Sequence, residues 1–197
     1  MAKREADAVG NFFQYGVDLA GRTLYIGSHA DFEQTEGGTD YLLANYAVKG
    51  LHLLDQTPGE ITILMNNPGG DEYHGMAIYD AIELCTNHVK CVGIGMVMSM
   101  GSWIIQAADE RLMTRNSTML LHYGTWAYDG HVKDFARAAG EVERLRVMME
   151  ECYLERIRQK HPKYPLSRLK KLLLFDSWLS AQDALDLGLI DRILEPK

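Results

Sequence analysis

At 197 residues, 47% hydrophobic and 24% charged, the chain is long enough to bury one core without disulfides or metals, and it has the composition of a soluble globular domain. Its formal net charge of -7, with no Lys- or Arg-rich cluster, argues against a phosphate-binding surface, so nucleic acid is not an expected partner. The three cysteines (Cys85, Cys91, Cys152) form neither an even disulfide set nor a CxxC pair, and the first residues lack a secretory apolar run, so the chain reads as a cytoplasmic protein with reduced thiols.

The first apolar run, Thr23-Leu24-Tyr25-Ile26 before Gly27, predicts a strand. A helical pattern from Tyr41 to Leu54 follows, then a second strand, Ile61 to Met65, that runs into the turn Asn66-Asn67-Pro68-Gly69-Gly70. A helix from Tyr73 to Cys85 leads to a third strand, Cys91-Val92-Gly93-Ile94. A further helix opens near Ser99 and ends before Asp109-Glu110. The segment from Cys91 to Ala108 is uncharged and nears the roughly 20 residues of a membrane span, but its three glycines, two serines and Gln106 fit a buried strand entering a buried helix better.

Thr118-Met119-Leu120-Leu121 predicts another strand. From His131 to Lys160, Phe135, Ala139, Val142, Leu145, Met149 and Cys152 recur at helical spacing, which predicts one long amphipathic helix. His161-Pro162-Lys163-Tyr164-Pro165 stops it, because proline disfavours helical geometry in the residue before it. A short helix from Ser167 to Leu174 comes next. Ser180-Ala181-Gln182-Asp183 then forms a capping box for a last helix, which Gly188 closes. Strands alternating with helices imply an α/β fold with largely parallel strands.

Three stretches carry chemistry. Ser99 lies between a strand and a helix, where its hydroxyl would sit beside unpaired N–H groups, that of Met100 among them. A lone serine in that position is ordinarily just a helix cap. Gly69-Gly70 can bend into a nest of N–H donors, although Asn, Pro and Gly also favour plain turns. His122 ends an apolar run, where a core histidine is the rival explanation, and Asp176 lies in a polar break between two helices. Together they suit acyl transfer: a serine hydroxyl needs a base, and the tetrahedral oxyanion needs backbone donors. No His-Glu-x-x-His spacing suggests a metal, and the order Ser, His, Asp without a Gly-x-Ser-x-Gly segment disfavours an α/β-hydrolase.

These residues resemble the ClpP family of serine peptidases, the proteolytic subunit of the Clp protease. The likeness rests on Asn67-Pro68-Gly69-Gly70, Gly75 to Asp80, Ser99-Met100-Gly101, Asn116-Ser117 with Leu121-His122, Asp176 with Leu179-Ser180-Ala181, and Gly188 to Asp191. It implies Ser99 as nucleophile, His122 as general base, Asp176 as its orienting carboxylate, and the N–H groups of Gly70 and Met100 as the oxyanion hole. It also implies the ClpP/crotonase fold of repeated strand-strand-helix units with a long handle helix. An N-terminal arm would occupy residues 1–16 and a single peptidase domain residues 17–197.

The expected activity is endoproteolysis of unfolded polypeptides through an acyl-enzyme, inside a homo-oligomeric ring that stacks as a double ring. An AAA+ ATPase unfoldase would spend the ATP, since this chain has no Gly-x-x-x-x-Gly-Lys loop, and no cofactor or metal of its own is expected. Departures from the family pattern are Val97-Met98 before Ser99, Tyr123-Gly124 after His122, Phe175 before Asp176, and a longer stretch from Ser28 to Asp40. The alternatives are a non-catalytic ring subunit and a crotonase-like acyl-CoA enzyme.

Overall fold

The structure, a computed structural model, describes residues 2–27 and 37–195. Most of the long stretch from Ser28 to Asp40 therefore lies outside the described residues. The N-terminal arm is helical, α1 (Ala2–Tyr15), and leads into β1 (Val17–Asp18) and β2 (Thr23–Gly27). Next come α2 (Tyr41–Asp55), β3 (Ile61–Asn67), α3 (Glu72–Glu83), β4 (Val89–Met98) and α4 (Met100–Ile104), the last continued by a 3₁₀ turn. Asp40 and Asp71 cap α2 and α3 by accepting from the N–H groups of Leu43 and His74, so each helix start is fixed by a carboxylate just outside it.

The remaining elements are β5 (Glu110–Thr114), β6 (Thr118–Leu121), α5 (Phe135–Lys160), α6 (Leu166–Leu173), β7 (Ser177–Ser180), α7 (Ala181–Leu187) and β8 (Arg192–Leu194). The main sheet runs β1-β2-β3-β4-β5-β8 and is parallel except where β1 joins β2. Along β3 burial alternates residue by residue, with Ile61, Ile63 and Met65 fully buried, as expected of a strand with one face on the core. Against the sheet lie Leu43, Ala47, Leu51 and Leu54 of α2 and Ile78 and Ile82 of α3.

Strand β4 extends well past the predicted Ile94 and changes partners as it goes. Lys90 to Gly93 pair with β5, whereas Met96 to Met98 pair in parallel with β6. The bend falls at Gly95, whose φ of +77° suits glycine, and its N–H donates to Ser117 Oγ at 2.9 Å. Strand β6 then pairs antiparallel with β7, so these two strands leave the main sheet and carry their ends to the same place as the end of β4.

The long helix begins at Phe135, after a 3₁₀ turn over Val132–Asp134, rather than at the expected His131. Its stripe divides: no residue from Phe135 to Arg144 is buried, while Leu145, Met149, Tyr153, Leu154 and Ile157 pack into the core. The first part of α5 thus projects beyond the core, in the manner of a handle. The capping box at Ser180 forms as read, and Gly188 closes α7 in a left-handed conformation.

Strand β5, which pairs in parallel with β8, escapes the periodicity reading because it buries a charged residue beside Leu112 and Met113. Arg111, 4% exposed, donates to both carboxylate oxygens of Asp191 at 2.6 and 3.0 Å and to Gln106 Oε1 at 3.1 Å. Burial works to raise the Asp191 carboxyl, but the bonds from Arg111 outweigh it and hold the group below its ordinary value. Asp191 is therefore ionised in both folded and unfolded chains at neutral pH, where the pair contributes in full. As pH falls below about 3.9 the unfolded chain takes up the proton first, and the contribution fades through the lower folded value. Asp191→Asn is expected to cost about 2 kcal/mol at pH 7, less than a fully buried pair because 39% of the Asp191 side chain is exposed. Urea titrations at pH 7 and pH 3 check this: the deficit of the variant must shrink at the lower pH.

Candidate active site

The sharp turn between β4 and α4 falls on Ser99 itself, at φ 50° and ψ -120°, one of two positive-φ non-glycine residues described. Such a conformation costs on the order of 1–3 kcal/mol and persists only where neighbours enforce it. The enforcing contacts are here: Ser99 N–H donates to Leu120 O, while Ser99 O accepts from Ser102 N–H at 2.9 Å and from Ser102 Oγ at 2.6 Å. Ser102 Oγ in turn lies 2.7 Å from the hydroxyl of buried Tyr153 on α5. The serine side chain makes no capping bond, so the ordinary explanation of Ser99 as a helix cap fails.

Instead, Ser99 Oγ lies 2.8 Å from His122 Nε2, and His122 Nδ1 lies 2.9 Å from Asp176 Oδ1. Strand register produces this alignment. Met98 pairs with Leu120 and Leu121 with Ser177, so Ser99, His122 and Asp176 occupy the next positions beyond the paired ends of β4, β6 and β7. Residues 23 and 54 positions apart in sequence thereby come into hydrogen-bond contact.

The glycine turn comes up against the serine. An added Cβ at Gly69 would lie 2.5 Å from Ser99 Cβ, and one at Gly70 would lie 2.4 Å from Thr39 N, so glycine alone permits both approaches. Asn67 Oδ1, fully buried, accepts from Gly69 N–H at 2.8 Å and from Thr39 Oγ1 at 3.1 Å, which fixes the turn from beneath. Gly70 N–H donates to nothing among the described residues, and Met100 N–H, at the first helical position, has no intrahelical acceptor. Gly101 is needed for close approach rather than for turning: a Cβ there would lie 3.0 Å from Asn67 Oδ1.

These groups open onto a cleft of about 320 Å³, lined also by Asp71, Glu72, Tyr123, Gly124, Thr125, Trp126 and Met149. A larger hollow of about 1170 Å³ lies between α6 and α7, away from the serine, and none of Ser99, His122 and Gly70 lines it. The thiols are poor rival nucleophiles, because burial pushes Cys85 and Cys152 up to about 11 and raises Cys91 as well. Glu60, His88 and Glu110 form a possible cation grouping among the described residues. It sits where β3, β4 and β5 begin, at the end opposite Ser99, and Lys90 already pairs with Glu60.

A supporting network went unread in the sequence. Tyr123, directly after His122, donates its hydroxyl to Glu150 Oε1 at 2.6 Å, and Glu150 is 3% exposed. Arg146 reaches the same oxygen at 2.8 Å and Lys170 lies 3.4 Å from the other, while Tyr123 N–H donates to Leu173 O. Burial, then the bond to Glu150, pushes the Tyr123 phenol up to about 12, so it stays a donor at neutral pH. The one sequence signal was the polar Glu150 next to Met149 on the buried stripe of α5. Tyr123→Phe is expected to cost about 2 kcal/mol, or about 4–8 °C in Tm, and to lower kcat by loosening His122. A thermal melt and a rate on one peptide measure both effects.

Comparison with known proteins places the chain as follows. A family model described as Clp protease matches residues 35–197. The ATP-dependent Clp protease proteolytic subunit of Deinococcus radiodurans is 33% identical over 181 residues, which cover 90% of this chain and 82% of that protein. The ATP-dependent Clp protease proteolytic subunit 2 of Thermobifida fusca is 31% identical over 180 residues, 89% of this chain and 82% of that one.

Proposed function

The chain belongs to the Clp protease family, and from that membership we propose that it is the proteolytic subunit of an ATP-dependent protease, a serine endopeptidase acting on unfolded polypeptides. The observation that carries the reading is the pair of contacts from His122, 2.8 Å to Ser99 Oγ and 2.9 Å to Asp176 Oδ1. With Nδ1–H donating to Asp176, His122 Nε2 is free to take the Ser99 proton as Oγ attacks the scissile carbonyl. The N–H groups of Gly70 and Met100 receive the oxyanion, and His122 returns the proton to the leaving amine. Water then enters by the same route in reverse and releases the acyl group from Ser99.

The proposal includes a homo-oligomeric assembly of this chain, stacked as two rings, and an AAA+ ATPase unfoldase that spends the ATP; this chain would need no cofactor. Large exposed apolar side chains, including Phe13, Leu84, Phe175 and Trp178, support burial between copies. The names of the two relatives support the ATPase. No helix among the described residues is long and apolar enough to cross a membrane, which suits a cytoplasmic setting.

The test is intact mass after treatment with a fluorophosphonate. One adduct is expected on the wild-type chain and none on Ser99→Ala. An unmodified wild type that instead gains thermal stability from acyl-CoA would move the assignment to an acyl-CoA enzyme.

A further inference from the structure

The wall of the catalytic cleft carries a carboxylate without a partner among the described residues. Gly70 is followed by Asp71 and Glu72, and all three line the same cleft as Ser99 and Met100. Asp71 is occupied, since its Oδ1 caps α3 by accepting from His74 N–H at 3.0 Å. Glu72 makes no hydrogen bond and no ion pair among the described residues, and no Lys or Arg lines the cleft to neutralise it.

A helix dipole accounts for an acidic residue in a first turn. It does not require that the residue be partly buried within a substrate cleft, beside a second carboxylate. Burial, followed by the Asp71 charge, raises the Glu72 carboxyl above its ordinary value, as expected of a charge lacking a counter-ion.

The rest of the lining completes a recognisable chemistry. Tyr123, Trp126 and Met149 also line the cleft; Arg146 lies over the Tyr123 ring at 5.4 Å from its centroid, which leaves Trp126 and Met149 as the apolar lining free of a cation. Trp126, 48% exposed, is stacked on Tyr128 at 5.9 Å, and Tyr128 meets Phe135 edge-on at 6.0 Å, so the indole is held in place. An indole and a thioether accept the aliphatic stem of a long cationic side chain, and the carboxylate accepts its head. The net charge of -7 favours the approach of such a chain.

Resting on the serine-peptidase reading above, we propose that Glu72 makes this cleft selective for lysine or arginine in the residue that supplies the scissile carbonyl. That residue is placed by the oxyanion donors: its carbonyl oxygen lies between the N–H groups of Gly70 and Met100. Its side chain branches from the Cα bonded to that carbonyl carbon, and therefore enters the cleft that Glu72 lines.

The test uses the full chain and a set of peptidyl diphenyl phosphonates that differ only in the side chain next to phosphorus: Arg, Lys, Leu or Glu. Ser99 Oγ attacks phosphorus and phenoxide leaves, so the rate of adduct formation can be read by intact mass without turnover. Arg and Lys reagents are expected to react at least about tenfold faster than Leu. Glu72→Gln is expected to lower the Arg-to-Leu ratio at least about tenfold, and Glu72→Lys to favour the Glu reagent. If either variant fails to fold, the wild-type Arg-to-Leu ratio must fall as salt rises from about 0.05 M to about 1 M.

A wild type that prefers Leu, or an Arg-to-Leu ratio indifferent to Glu72→Gln and to salt, overturns the selectivity while the adduct on Ser99 leaves the peptidase reading standing. No adduct with any reagent, nor with the small fluorophosphonate, removes the peptidase reading and the selectivity with it.

Discussion

Ser99→Ala is expected to lower kcat/KM for peptide hydrolysis at least about a thousandfold, roughly 4 kcal/mol of transition-state stabilisation, with little change in Tm. Among the described residues the hydroxyl makes one hydrogen bond, with His122 Nε2, so its loss removes the nucleophile without opening a cavity. The backbone strain at Ser99 remains in the variant, because Leu120 O and Ser102 bond the N–H and carbonyl of Ser99, not its side chain, and Tyr153 holds the Ser102 hydroxyl. Steady-state rates on one fluorogenic peptide decide it: turnover within tenfold of wild type would assign the nucleophile elsewhere. Residual hydrolysis is expected from the donors of Gly70 and Met100, which the substitution leaves in place.

Gly70→Ala is expected to reduce kcat about a hundredfold or more with a smaller effect on KM, because the N–H that it displaces acts on the oxyanion and not on the ground-state peptide. The residue stands at φ +142°, where an L side chain is strained, and the new Cβ would meet Thr39 N at 2.4 Å and Thr39 O at 2.5 Å. Relief requires the turn to move, and the turn is also held by Gly69 N–H, which donates to Asn67 Oδ1. Some stability will be lost as well, so a melt must accompany the kinetics. A well-folded variant with wild-type kcat would take Gly70 out of the oxyanion hole. Fluorophosphonate labelling of Ser99 should slow in parallel, since that reaction also develops charge on an oxygen in the hole.

Much of this fold was legible in residue order. The strand at Thr23, the helix from Tyr41, the strand at Thr118 and the capping box at Ser180 form close to where the periodicity and caps put them. Strands β5, β7 and β8 were not legible, for two reasons. Strands β7 (Ser-Trp-Leu-Ser) and β8 (Arg-Ile-Leu) lack the apolar run that marks β2 and β6, and β5 buries an arginine whose partner, Asp191, is 80 residues away. The long helix misled in the other direction: Phe135, Ala139 and Val142 keep the apolar spacing, yet the chain offers that turn of the helix no core to enter.

The chemistry divides in the same way. Residue type and local spacing determined by themselves that a serine would follow a strand, that glycine-borne N–H groups would follow another, and that a histidine would end a third, because each depends on turn and strand preferences within a few residues. Only the tertiary structure decided that the three meet. The change of partner along β4 at Gly95 and the antiparallel pairing of Leu121 with Ser177 set the ends of β4, β6 and β7 side by side. Asp176, ambiguous as a loop carboxylate in sequence, takes its position from that register alone. The Glu72 carboxylate, unpartnered among the described residues, and the Tyr123–Glu150 bond were likewise invisible in sequence, because whether a carboxylate has a counter-ion depends on which distant side chains share its space.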